Sequence, residues 1–159
     1  MTAHGSNGAG LRRRLKWVRL KNRVNLIMLR IPRTVFQQII EHARREAPLE
    51  CCGILSGKHG TVQKTFELRN AEQSPVRYSI SPQDQLGIFE EMDREALEMV
   101  AIYHSHTHTL PFPSETDVKM AFYPEVFSVI ISLKEEKNPQ LKAFRIQKEA
   151  IYPEEIEFI

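Results

Sequence analysis

Two histidines, a serine and an aspartate lie close together in the chain at a spacing that suits metal chemistry. His104 and His106 are two residues apart, Ser114 follows after seven intervening residues, and Asp117 comes three positions later. Side chains at positions i and i+2 of a β-strand point to the same face, so both imidazoles are expected to face the same way. Two neutral imidazoles and one carboxylate make a three-ligand set that leaves room for water, as in catalytic zinc sites.

Glu50 is the best candidate for the general base that a zinc hydrolase requires. It directly precedes an apolar stretch at residues 51–55, so burial is expected to raise the pKa of its carboxyl group toward neutrality. Ser114 is a candidate hydrogen-bond donor to the oxyanion that develops on a scissile carbonyl group. Together with the histidine pair, these two residues describe a hydrolytic metal site.

Each of these residues also has a structural explanation. The sequence from Ser114 to Asp117 (Ser-Glu-Thr-Asp) matches a helix capping box, in which the aspartate bonds back to the serine amide. The two roles are compatible, because a helix start would hold the ligand in place. His108 is either a loop residue or an additional metal ligand beside His106. Glu50, taken alone, would be a surface charge at the end of a helix.

The elements that must position these residues follow from hydrophobic periodicity and turn signals. Strands are predicted at residues 29–31, 51–55, 61–68, 99–106, 126–133 and 141–147, and an extended piece at residues 150–159. Helices are predicted at residues 33–47, 82–97 and 114–122. This mixed order of elements predicts an α/β fold with a mixed, largely antiparallel β-sheet flanked by helices.

Finer details of these elements are also predicted. Ser81 is expected to cap the second helix, whose inward face is expected to carry Leu86, Phe89 and Met92. A hairpin turn at residues 58–59 is expected between the second and third strands, because glycines flank it on both sides.

The charge distribution separates a basic N-terminal segment from an acidic remainder. Residues 1–30 hold eight Lys and Arg and no acidic residue, so the other 14 basic residues face all 20 acidic ones, a net charge of −6. The sequence pI of about 8.6 therefore reflects that segment and does not indicate a nucleic-acid-binding protein. Residues 1–27 are predicted to be a disordered tail, sequence upstream of a true start at Met28, or a basic arm for an acidic partner.

Residues 28–159 are predicted to form a single domain, and several features indicate a cytoplasmic location. Cys51 and Cys52 are the only two cysteines and are adjacent, so a structural disulfide bond is not expected. No apolar run approaches the roughly 18 residues of a membrane-spanning helix. No convincing signal peptide is present. Neither a membrane nor a nucleic acid is expected as a partner, and the oligomeric state is left open.

Glu50, the His-x-His pair, Ser114 and Asp117 together resemble the JAMM (MPN-plus) metallopeptidase family. That family has an upstream glutamate, then His-x-His, seven residues, serine, two residues and aspartate, and all five positions occur here at the family's spacing. Residues 48–57 also match the family's Pro-x-Glu-x-Cys-Gly-x-Leu-x-Gly stretch. One departure is Thr107, where the family often has proline.

The resemblance implies a fold, a cofactor and a role for each residue. The fold is a curved, cytidine-deaminase-like sheet, and the cofactor is Zn²⁺. By resemblance, His104, His106 and Asp117 bind the zinc ion. Glu50 orients and deprotonates the water molecule, and Ser114 stabilises the tetrahedral intermediate.

The resemblance also implies a substrate class. The short chain and its residues 68–84 look like the compact prokaryotic (Mec-like) members, some of which act on ubiquitin-like sulfur-carrier proteins. The implied reaction is hydrolysis of a peptide or isopeptide bond after the Gly-Gly tail of a ubiquitin-like or sulfur-carrier protein. The alternatives are a non-catalytic, metal-binding scaffold module of the same fold and a basic tail that engages nucleic acid.

Overall fold

The computed structural model describes residues 27–159, so the predicted tail at residues 1–27 lies outside the described residues except for Ile27. Eight strands occur in this part of the chain: β1 (Leu29–Ile31), β2 (Cys52–Lys58), β3 (Thr61–Leu68), β4 (Glu98–His106), β5 (Phe127–Ser132), β6 (Gln140–Gln147), β7 (Ala150–Glu154) and β8 (Ile156–Phe158). Three helices accompany them: α1 (Arg33–Glu46), α2 (Pro82–Arg94) and α3 (Glu115–Lys119).

The strands form one sheet in the order β7-β6-β5-β4-β2-β3-β1-β8. Of its seven neighbouring pairs, β1/β3, β1/β8 and β4/β5 are parallel and the other four are antiparallel. This confirms the predicted α/β fold with a mixed, largely antiparallel sheet. Only Glu155 separates β7 from β8, although the two strands lie at opposite edges. Because two residues span at most about 7 Å, the sheet must curve until its edges approach each other.

One local prediction is confirmed only in part, and another is wrong. Residues 150–159 are extended as predicted, but they form two strands, because the chain passes at Glu155 from one sheet edge to the other. The hairpin turn between β2 and β3 consists of His59 and Gly60 and not of residues 58–59. Both turn residues have positive φ (51° and 78°), as the favoured two-residue hairpin turn requires.

The second helix follows its predicted start and, except at Leu86, its predicted inner face. Ser81 caps α2 as predicted, with its Oγ accepting a hydrogen bond from the Asp84 amide at 3.1 Å. Met92 is buried and Phe89 packs beside it, as predicted. Leu86 is 60% exposed, and Ile88 is buried in its stead, because Ile88 and Met92 at i and i+4 face the sheet. None of the helices described in residues 27–159 is long and apolar enough to span a membrane.

The side chains of β4 alternate between two apolar cores. Tyr103 packs in the larger core, to which α1 contributes its buried face, and Ile102 packs in the smaller core with α2. His104 and His106 follow Ile102 at a spacing of two, so they share its face of the sheet. The sheet therefore presents both histidines on the side that α2 covers.

Candidate metal and catalytic site

Strand pairing brings the upstream glutamate to the histidine pair. β2 and β4 are antiparallel, and extending their register two residues beyond the start of β2 puts Glu50 opposite His106. Cys51 and Ser105, which lie opposite each other between these two pairs, share two hydrogen bonds. The Cys51 amide donates to Ser105 Oγ at 2.8 Å, and the Ser105 amide donates to the Cys51 carbonyl at 3.1 Å. Opposite residues of an antiparallel pair project from the same face. Residues more than fifty positions apart in sequence are thus adjacent in the site.

Three side-chain atoms converge at the end of β4. His104 Nε2 and His106 Nε2 are 3.1 Å apart, and each lies 3.2 Å from Asp117 Oδ2. In a tetrahedral zinc site with ligand distances of about 2.0–2.1 Å, neighbouring ligand atoms are roughly 3.3–3.4 Å apart. The donor types and their spacing therefore fit Zn²⁺ held by three protein ligands.

Hydrogen bonding and stacking orient the two imidazole rings. His106 Nδ1 lies 2.9 Å from the Leu110 carbonyl oxygen, which can only accept, so Nδ1 carries a proton. Nε2 then donates to Asp117 Oδ2 when the ring is charged and is free to bind a metal ion when the ring is neutral. The fully buried ring of His104 stacks on Tyr78, with 4.5 Å between ring centroids and 21° between planes. His104 Nδ1 has no hydrogen-bond partner among residues 27–159. The rings are thus held in place by the protein itself.

The predicted capping box is present and coexists with the convergence of ligand atoms. The Ser114 amide donates to Asp117 Oδ2 at 2.8 Å, and the Asp117 amide donates to Ser114 Oγ at 3.1 Å. The oxygen that caps α3 is the same oxygen that faces the two imidazoles. Within the described residues, the Ser114 hydroxyl is the donor of no hydrogen bond. The helix start therefore holds the Asp117 carboxylate against both rings.

Electrostatics favour an ionised aspartate and a neutral His104. Burial by itself raises the pKa of Asp117, but hydrogen bonds with His104 and His106 hold that pKa well below its usual range. Burial lowers the pKa of His104. Burial also acts to lower the pKa of His106, but hydrogen bonds to Asp117 and to the Leu110 carbonyl outweigh it and raise that pKa. Since metal ligands must be deprotonated, a proton on His106 competes with a metal ion.

Glu50 has the surroundings of a general base. It is only 5% exposed, and its Oε2 has no hydrogen-bond partner in the described part of the chain. Burial raises the pKa of Glu50 from 4.5 to about 7, as its place before an apolar strand predicts. The charge of His106 lowers this pKa and the charge of Asp117 raises it, both by less than burial does. A carboxyl group with a pKa near neutrality can take up a proton and return it.

Two features of the site were not predicted from the sequence. One is an open cleft beside Asp117, and the other is the stacking of Tyr78 on His104. Tyr78, Phe122 and Tyr123 contribute to the walls of this cleft. The sequence offers a partial indication of Tyr78, because this residue falls in the stretch at residues 68–84 that resembles compact family members. His108 is exposed and lies outside the group of three converging ligands.

Comparison with known proteins adds independent findings. Residues 32–147 match the family of prokaryotic homologs of the JAB domain. The chain is 35% identical over 123 residues to the CysO-cysteine peptidase of Mycobacterium tuberculosis (strain H37Rv), an alignment that covers 76% of this chain and 84% of that protein. It is 37% identical over 83 residues to a desampylase of Pyrococcus furiosus, covering 52% of this chain and 59% of that protein.

Solved structures show the same architecture. The solution structure of a protein from Desulfitobacterium hafniense superposes with a TM-score of 0.76 at 33% identity and covers 83% of this chain and 93% of that one. A JAB1/MPN domain protein from Archaeoglobus fulgidus gives a TM-score of 0.58 at 17% identity, with coverage of 83% and 98%. At that identity, the second likeness concerns the fold alone.

Proposed function

Because the chain belongs to the family of prokaryotic homologues of the JAB domain, we propose that it is a zinc-dependent metallopeptidase. Membership confirms the family that the sequence motif predicts. The proposed reaction is hydrolysis of a peptide or isopeptide bond at the C-terminal tail of a ubiquitin-like or sulfur-carrier protein. The observation that carries this proposal is the convergence of two imidazole nitrogens and one carboxylate oxygen beside a buried glutamate.

In the proposed mechanism, His104, His106 and Asp117 hold the zinc ion. Bound there, Zn²⁺ supplies a positive charge that polarises the scissile carbonyl and makes a water molecule acidic near neutral pH. Glu50 accepts a proton from the attacking water and delivers it to the leaving nitrogen, a task that suits its raised pKa. Ser114 donates its hydroxyl hydrogen bond to the developing oxyanion.

The proposed substrate class is supported by what the relatives are called. One relative is named a CysO-cysteine peptidase, another a desampylase and a third a probable TtuB-protein conjugate cleaving protease. We assign this chain a substrate with a Gly-Gly tail, because glycine carries no side chain that would hinder its approach to the site and an extended glycine pair can bond through its backbone to an exposed strand. A cytoplasmic location belongs to the same proposal and is supported by two free, buried cysteines.

Glu50→Gln tests the mechanism directly. The substrate is a ubiquitin-like protein ending in Gly-Gly, fused through its last glycine to a short peptide, and cleavage is followed by mass spectrometry. The variant is expected to lose about 10²- to 10⁴-fold in rate while retaining one zinc ion per chain. Glu135→Gln removes an exposed carboxylate from the turn before β6 and is the matched control, with unchanged rate.

The outcomes separate the proposed enzyme from its alternative. Undiminished cleavage by the Glu50→Gln variant would refute the role of this glutamate. Wild-type protein that holds zinc but cleaves no Gly-Gly conjugate would favour a non-catalytic, metal-binding scaffold of the same fold.

A further inference from the structure

The side-chain amide of Asn70, two residues after the end of β3, joins two separate parts of the site. Asn70 is buried, and its Nδ2 donates to the carbonyl oxygen of Glu50 at 3.0 Å and to that of Arg77 at 2.9 Å. A longer contact of 3.5 Å joins the same nitrogen to the Ser74 carbonyl. The donor half of this amide thus connects the backbone of the proposed base to the segment that carries Tyr78.

The acceptor half of the same side chain closes that segment on itself. Asn70 Oδ1 accepts from the amide of Glu72 at 3.0 Å and from the amide of Ser79 at 3.2 Å. The Ala71 amide donates to the Ser79 carbonyl at 2.9 Å, which closes the same loop through backbone. Residues 70–79, closed around the Asn70 side chain, are here termed the Asn70 clasp.

The clasp holds Glu50 by its backbone. The Glu50 amide donates to the Ser74 carbonyl at 2.9 Å, and the Glu50 carbonyl accepts from Asn70, so both backbone polar groups are bonded to the clasp. Glu50 lies outside β2, which begins at Cys52. Its side-chain Oε2 has no hydrogen-bond partner in the described residues. The position of the carboxylate therefore depends on how its backbone is held.

The other end of the clasp contacts His104, one of the two proposed histidine ligands. Arg77 and Ser79 are both bonded to Asn70, and Tyr78 between them stacks on the fully buried His104 ring. One amide side chain thus fixes the proposed base on one side and a ring packed against a proposed ligand on the other.

We propose that Asn70 is a positioning residue for the hydrolytic site, which sets the placement of Glu50 relative to His104 through the Asn70 clasp. This role rests on the proposed function, since it concerns the same site. Within the described residues, every hydrogen bond of the Asn70 side chain goes to a backbone group, and none goes to a proposed metal ligand. Removal of the Asn70 side chain is expected to slow the chemical step without releasing the metal, because a displacement of about 1 Å can cost roughly 10²-fold in rate.

Three variants of the full chain separate positioning from folding. Asn70→Asp keeps the two acceptor bonds and replaces donation to the Glu50 and Arg77 carbonyls by repulsion between oxygens. In Asn70→Ser, the uncharged serine side chain is too short to make either the donated or the accepted hydrogen bonds. This variant remains informative if the aspartate variant does not fold. Asn138→Asp makes the same chemical change at an exposed turn between β5 and β6 and is the control.

Amide hydrogen exchange, followed residue by residue, tests the clasp without reference to activity. In Asn70→Asp, the Glu50 amide is expected to lose protection at least tenfold, while the amides of Glu72 and Ser79 keep theirs. In Asn70→Ser, all three are expected to lose protection. Unchanged protection of the Glu50 amide in both variants would overturn the clasp.

Steady-state kinetics on the Gly-Gly fusion tests the positioning role. Asn70→Asp and Asn70→Ser are expected to lower kcat by about 10- to 100-fold, with KM changed less than about threefold, one zinc ion retained and Asn138→Asp unaffected. Loss of protection at Glu50 with wild-type kcat would overturn the role, as would an effect confined to KM. If wild-type protein shows no hydrolysis, the proposed function fails, and the exchange measurement still decides whether the clasp exists.

Discussion

Replacing Glu50 by glutamine is expected to stabilise the metal-free protein while it removes activity. The carboxyl group is 5% exposed, and burial raises its pKa from 4.5 to about 7. Well below pH 4.5 the group is protonated in both the folded and the unfolded chain, so its burial carries no ionisation cost. As the pH rises toward 7, the Glu50 carboxyl group ionises in the unfolded chain but stays protonated in the folded chain. Ionisation therefore favours the unfolded state, and the free energy of unfolding of the wild-type protein falls.

The magnitude follows from the pKa difference. A raised pKa of this size corresponds to about 3 kcal/mol at a pH above both values. Burying a glutamine amide without full hydrogen bonding costs about 1 kcal/mol, which reduces that gain. The variant is therefore expected to exceed wild type by about 2 kcal/mol at pH 8, which corresponds to about 5 °C in Tm. At pH 4.5 the difference should fall to zero or become slightly negative.

The assay is urea unfolding of both proteins in chelator between pH 4.5 and pH 8. Glu135→Gln is the control and is expected to change stability by less than about 0.5 kcal/mol at either pH. Returning zinc should shrink the advantage of Glu50→Gln, since a nearby positive charge favours the ionised carboxylate. A glutamine variant that is no more stable at pH 8 than wild type, or whose advantage does not change with pH, would refute the reasoning.

Further predictions address the cap, the loop histidine and pH. Ser114→Ala and Ser81→Ala should each lower the free energy of unfolding by about 1 kcal/mol, since each removes a helix cap. Only Ser114→Ala should also lower kcat, by about 10²-fold, because it removes the proposed donor to the oxyanion. Equal losses of kcat in the two variants would contradict this role. His108→Ala should keep one zinc ion per chain by elemental analysis, because this exposed residue lies outside the ligand group. The ratio kcat/KM of the zinc-loaded enzyme should rise with pH as Glu50 ionises, with a midpoint below about 7 because the zinc charge lowers the pKa that burial raises. A flat profile from pH 4.5 to 8 would count against Glu50 as the base.

The parts of the fold that depend on local pattern were predictable. β4 and β5 contain apolar runs at residues 99–103 and 129–131, and the start of α2 carries its own cap in Ser81. Each of these signals lies in neighbouring residues of the sequence. The capping box from Ser114 to Asp117 is local in the same way. The spacing of His104 and His106 on a strand predicts a shared face, and the structure places both on one face.

What depends on distant contacts was not predictable from local pattern. The split of residues 150–159 between two sheet edges follows from closure of the whole curved sheet. The inner face of α2 is chosen by the apolar residues beneath it, which favour Ile88 over Leu86. Asn70 resembles an ordinary loop residue in sequence, and its importance lies in bonds to carbonyls up to 20 positions away.

Release of the free Gly-Gly-ending protein from its peptide fusion, before and after zinc is withdrawn and returned, tests the central claim most directly. We expect cleavage after the second glycine, loss of cleavage when a chelator removes one zinc ion per chain, and recovery when zinc is restored. His104→Ala should bind no zinc and release no product under any of these conditions. Cleavage that continues in the chelated wild-type protein or in His104→Ala would contradict a hydrolytic zinc site built from His104, His106 and Asp117.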